Sequence, residues 1–166
     1  MELSLIGSAG ESDHLLYVLS CSTWEEWPAK LDLASPHFAL FLACDGRGLD
    51  QAILRSLGSR ILRQGLAYLS TWGPDCERVH DAFDEAIVCQ RSSSDGQDGV
   101  ILTTWHPAEP LENALAFFLD TAEPAPAFRY SCTSWVAASI GSTTWDSAIK
   151  RRLVLAVGRE LGGGTG

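Results

Sequence analysis

The stretch FALFLACDG, Phe38 to Gly46, constrains the fold of this chain more than any other. It is almost continuously apolar and is closed by Asp-Gly. A run of this length has no polar face to turn to water, so it reads as a strand buried on both sides, as in a parallel sheet covered by helices. The next segment agrees. LDQAILRSLGSRILR places Ile53, Leu57 and Ile61 at i, i+4 and i+8, one stripe of a helix. Gly65 then stands where a helix C-terminus favours glycine. The same unit recurs. LAYLSTW reads as a strand, Gly73-Pro74 as a turn with proline at a first helical position, and DCERVHDAFDEAIV as a helix. VILTTWH and PAEPLENALAFFLD repeat the pattern a third time.

HLLYVLSC, His14 to Cys21, reads as a strand before these units. FRYSCTSWVAASI reads as a last strand after the proline-rich connector TAEPAPA. A final helix from about Thr144 to Leu161 carries Ile149, Leu153 and Val157 as its stripe. Strand and helix alternating at this spacing imply right-handed βαβ crossovers and a mostly parallel sheet. The expected fold is therefore a single three-layer α/β domain of about five strands, Rossmann-like or flavodoxin-like, over residues 14–161. Residues 1–13 read as a flexible N-terminus, QRSSSDGQDG as a flexible loop, and the glycine-rich residues 162–166 as a disordered tail.

Apolar residues make up 46% of the 166 and charged residues 20%, the balance of a core-forming chain. No apolar run approaches the roughly 20 residues of a membrane helix. MELSLIGSAGESD lacks the basic start and long apolar core of a secretory signal. The expectation is a cytoplasmic protein. The five cysteines are odd in number and scattered without a CxxC pair, which fits reduced thiols. A formal net charge of −9 argues against nucleic acid or an anionic membrane as partner, since both select clustered Lys and Arg. The one basic cluster, Lys150 to Arg152, reads as a solvated helix face. Neither GxGxxG nor GxxxxGK[ST] occurs, and no nucleotide cofactor is expected.

In open parallel sheets, ligands bind beyond the carboxyl ends of the strands. Three such ends carry chemistry: Cys44-Asp45-Gly46, Ser70-Thr71-Trp72, and Thr103-Thr104-Trp105-His106. If these strands are neighbours, Asp45, Trp72, Trp105 and His106 converge on one edge. The helix from Pro74 sets Cys76, His80 and Asp84 at i, i+4 and i+8, along one side. That spacing admits a metal site, with His106 as a further ligand. It also admits a Cys76–His80 nucleophile and base pair, the thiol lying in the first helical turn. Against both stands the helix's own apolar stripe, Val79, Phe83, Ala86 and Ile87, which takes in Cys76 as a core residue and leaves His80 at its margin. Asp45 is the other candidate for a nucleophile or ligand, and His106 the other candidate for a base.

The motifs WGPDCERVHDAFDEA and TTWHPAEPLENALAFF resemble two motifs of a small bacterial α/β domain family of unknown function, over roughly Leu15 to Leu119. The matching positions are Trp72, Gly73, Asp75, Cys76, Glu77, His80 and Asp81 in the first. In the second they are Thr103, Thr104, Trp105, His106 and Glu109. Val79 stands where that pattern has an aromatic residue, and Pro107 where it has an acidic one. The resemblance implies an α/β fold and brings no activity with it.

Tryptophans in expected loops, Trp24, Trp27, Trp72 and Trp105, are of the type enriched at interface anchors. With the acidic charge and the lack of a complete catalytic constellation, they point to a protein-binding, accessory or regulatory module. Such a module would serve a multicomponent bacterial system, of the kind used in defence or protein modification. An enzyme or metal-binding domain with a Cys/His/Asp site at the sheet edge is the alternative. A homo-oligomeric subunit, such as a dimer pairing ALAFFL and the last helix across a two-fold, is the third.

Overall fold

The computed structural model describes residues 1–9, 14–93 and 99–161. The expected flexible loop falls partly, and the expected disordered tail wholly, outside the described residues. The described residues form six strands and four α-helices. In chain order these are β1 (Glu2–Ala9), β2 (His14–Cys21), β3 (His37–Ala43), α1 (Gln51–Arg63), β4 (Leu66–Trp72), α2 (Cys76–Ser93), β5 (Leu102–His106), α3 (Leu111–Asp120), β6 (Cys132–Ile140) and α4 (Thr143–Leu161). The sheet order is β1-β2-β6-β3-β4-β5. β2 to β6 run parallel and β1 pairs antiparallel with β2.

β3 shows why the sheet has two buried sides. Phe38, Leu40, Leu42 and Cys44 enter one core with α1 and α2 side chains. Ala39, Phe41 and Ala43 enter the other with those of α3 and α4. Phe38, Leu40, Phe41 and Leu42 are fully buried, each contributing about 1.5–3 kcal/mol by area. Within α1 the buried stripe is Leu54, Leu57, Gly58, Ile61 and Leu62, whereas Ile53 faces water. The stripe that Ile53, Leu57 and Ile61 predict is therefore rotated by one residue at its start. Asp50 caps this helix, its carboxylate accepting from the Ala52 N–H at 2.7 Å. Gly65 ends it at φ +101°, with its N–H on the Leu62 carbonyl.

The strand count is six rather than five, because the first residues are not merely a flexible lead-in. Glu2 to Ala9 form an edge strand. Its two-residue period is broken by a bulge between Leu5 and Gly7, and Leu5 faces water. A half-exposed, bulged edge strand carries little of the alternation by which strands are read from sequence.

β3, β4 and β5 lie side by side in that order, joined by α1 and α2. The chain then crosses from the β5 edge to the centre, where β6 inserts between β2 and β3. No helix among the described residues is long and apolar enough to cross a membrane.

Candidate functional site: the carboxyl ends of β3, β4 and β5

The ends of β3 and β4 are locked backbone to backbone. The Cys44 N–H donates to the Trp72 carbonyl at 3.0 Å, and the Gly46 N–H to the Pro74 carbonyl at 2.8 Å. Gly73 sits at φ +117°, and a Cβ there would lie 2.2 Å from the Cys44 carbonyl oxygen. The next residue but one, Asp75, holds the left-handed region at φ +57°. Arg78 fastens the junction from α2. Its guanidinium donates to the Gly46 carbonyl at 3.0 Å, to the Leu49 carbonyl, and to the Asp75 carboxylate at 3.3 Å. Asp45 turns away from this junction to Arg47, whose guanidinium lies 2.6 Å from its carboxylate and holds the acid below its usual range.

Trp72, His106 and Glu109 do converge. The Trp72 Nε1–H donates to the Glu109 carbonyl at 2.8 Å, and the Glu109 carboxylate meets His106 Nδ1. Trp72 packs edge-on against Trp145 of α4, with ring centroids 5.3 Å apart. The His106 ring is buried against Phe117, and its Nε2 has no hydrogen-bond partner. Trp105 is one register position off Trp72, since Trp72 pairs with His106 and Thr71 with Trp105. Neighbouring register positions point to opposite faces. Trp105 accordingly lies over α2, its ring 4.6 Å from that of His80, and is 45% exposed.

His80 is buried in a polar chain. Its Nε2 meets Thr103 Oγ1 at 2.9 Å, and that hydroxyl donates to Asp84 at 2.9 Å. Its Nδ1 lies 3.1 Å from the Asp81 carboxylate. Cys76 is fully buried, and its main-chain carbonyl accepts from Thr71 Oγ1 at 3.1 Å. Burial pushes the thiol pKa up, the opposite of what a thiolate nucleophile needs. His80 spends its ring nitrogens on Thr103 and Asp81 rather than on Cys76. Among the described residues, no group of three or more His, Cys, Asp or Glu side chains is placed to hold a metal ion. The set Cys76, His80, Asp84 shares a helix side in sequence but does not converge, because the thiol enters the core while the carboxylate points out.

Two of the loop tryptophans lie elsewhere. Trp27 is a core residue, 2% exposed, with its Nε1–H on Gln64 Oε1 at 3.0 Å, so it is not an exposed anchor. Trp24 is half-buried beside α1 and lines a cavity of 460 Å³ with Ile53 and Arg60.

One polar cluster is not foreshadowed by any motif in the sequence. At the ends of β2 and β6, the Asp146 carboxylate accepts from Ser20 Oγ and lies 3.5 Å from Ser139 Oγ and 3.1 Å from Lys150 Nζ. A Gly-Ser pair before the α4 stripe signals a helix start. Only the pairing of β2 with β6 brings Ser20 to it.

The molecule so defined is an α/β protein with a six-stranded, mostly parallel sheet, polar side chains gathered at the strand ends, and one tryptophan left open on an edge strand. Residues 16–155 match the family described as Domain of unknown function (DUF7684), and the chain belongs to that family. No curated protein and no solved structure matches it significantly.

Proposed function

We propose that this protein is an acidic cytoplasmic binding module, built on a three-layer, Rossmann-like scaffold. Its partner is a protein that presents an extended basic segment to β5. The observation that carries this reading is Trp105, 45% exposed on a strand that, among the described residues, pairs with β4 alone. Leu102 of the same strand is also exposed. An open strand edge offers unpaired backbone groups to an added strand, and an exposed aromatic beside it offers an anchor. The surroundings select the sign of the partner. Asp81 and Asp84 both contact the His80 ring on which Trp105 packs, and Glu109 lies at the strand end. A Lys or Arg side chain over the indole face is favoured there by both the ring and the carboxylates. A second copy pairing edge to edge would instead set these acids against each other.

The test uses two synthetic peptides, one alternating Lys and Val and one alternating Glu and Val. The Lys peptide should bind, perturb the Trp105 indole resonance and protect β5 amides. Trp105→Ala should weaken it by about tenfold or more, a loss of about 1.4 kcal/mol. Equal binding of both peptides, or full binding by a folded Trp105→Ala protein, overturns the proposal. A doubling of mass that Trp105→Ala abolishes also overturns it, in favour of self-pairing.

A further inference from the structure

β5 has two faces, and the exposed Trp105 occupies only one of them. Thr103 and Trp105 point toward α2: the Thr103 hydroxyl contacts His80 and Asp84, and the Trp105 ring rests on His80. Leu102 and Thr104 point to the other face. There Leu102 pairs with the core residue Tyr68, and Thr104 Oγ1 lies 3.4 Å from the Tyr68 hydroxyl. Leu102 is 42% exposed, so its isobutyl group is an open apolar surface.

On this second face β5 borders a trough of 510 Å³. Tyr68, Leu102 and Thr104 line it from the sheet, and Pro124, Ala125 and Pro126 line it from the connector before β6. Tyr68 and Ala125 are buried, Pro124 is half-buried and Pro126 is exposed. Among the described residues, no Lys, Arg or His lines the trough, and its one charged group is Glu123. The α2 face differs in kind, since Asp81 and Asp84 both contact His80 there.

The backbone decides how an added strand would use the two faces. The Thr104 carbonyl faces β4, where it accepts from the Thr71 hydroxyl at 3.4 Å. Backbone groups alternate in direction along a strand, so those of Thr103 and Trp105 face the open edge. An added strand sets its own side chains alternately on the two faces. Those level with Thr103 and Trp105 meet the carboxylates. Those level with Leu102 and Thr104 stand over the trough. An anion there would be repelled by Glu123, and the prolines have no N–H to offer it. A cation would exchange the pair of aspartates for a single acid. An apolar side chain covers Leu102 and displaces water from the proline wall.

We infer that β5 selects a segment in which large apolar residues alternate with the basic ones, the apolar side chains seated between Leu102 and Pro124. This rests on the reading of β5 as a docking edge for a basic segment and adds the other half of its specificity.

Two synthetic peptides test it, one alternating Lys and Ser, the other identical except that its central Ser is Phe. Each is titrated into the full chain while the Leu102 methyl and Trp105 indole resonances are followed. The Lys–Ser peptide should shift Trp105. The Phe peptide should shift Leu102 as well and bind about tenfold more tightly or better. Leu102→Thr keeps a strand-favouring residue at an exposed position and should fold normally. It should cut the gain from Phe to less than about twofold. Equal affinity for the two peptides overturns the inference and leaves the basic-segment reading standing. A gain from Phe that survives Leu102→Thr undiminished does the same. Binding by neither peptide overturns both.

Discussion

Trp72 and Trp105 stand at the carboxyl ends of neighbouring strands, Trp72 as the last residue of β4 and Trp105 as the last but one of β5, and look alike in sequence, each preceded by Thr and close to a turn. The structure makes them opposites. Trp72 ends an inner strand, donates to the Glu109 carbonyl and wedges against Trp145. Trp105, one residue before the end of the edge strand, rests on His80 and keeps 45% of its surface in water. The first is tied to three elements and serves to close the sheet end. The second is held from one side and is available. The same residue type therefore becomes scaffold or surface by one step of strand position and one step of register.

This contrast can be broken from its rigid side. Gly73→Ala should be the most damaging change, by about 3 kcal/mol or more. The new Cβ would meet the Cys44 carbonyl oxygen at 2.2 Å, and φ +117° excludes most side chains. A fall in the denaturation midpoint reads this out. A near-normal midpoint would mean that the β3–β4 junction is not locked. Trp72→Phe comes next, at about 1–2 kcal/mol, since it keeps a ring but leaves the Glu109 carbonyl without its donor. Chemical denaturation again measures it, and no loss would place Trp72 with Trp105 as an available surface. Trp105→Ala should cost least, below about 1 kcal/mol, because 45% of the side chain is already in water and the rest packs on one side only. If its cost equals that of Trp72→Phe, the two tryptophans are not different in kind.

Part of this site is legible in the chain before folding. The strand ends with Trp72, Trp105 and His106 follow from hydrophobic pattern and from the order of βαβ units, and β3, β4 and β5 are indeed neighbours. The apolar stripe of α2 already turns Cys76 inward, and it is fully buried. His80 stands at the margin of that stripe, and it is the residue that links core to surface carboxylates. Asp45 is not separable from the others by sequence, because its partner Arg47 lies two residues along in a turn whose direction no pattern reveals. Trp27 reads as a loop anchor because a tryptophan flanked by Glu and Pro gives no period to show which way it faces. Gln64, at the far end of α1, takes its indole N–H and marks it as core.

By itself, the sequence determined the alternation of buried strands and amphipathic helices. Apolar residues recurring every second or every third to fourth position leave one arrangement that hides them. It also determined which residue types stand at the strand ends. Tertiary structure alone decided that β6 enters between β2 and β3, that β1 completes one edge, and that β5 is left at the other. Those are pairings between segments distant in the chain, and backbone hydrogen bonds between strands carry no sequence label. For that reason the open tryptophan and the locked glycine are properties of the folded sheet.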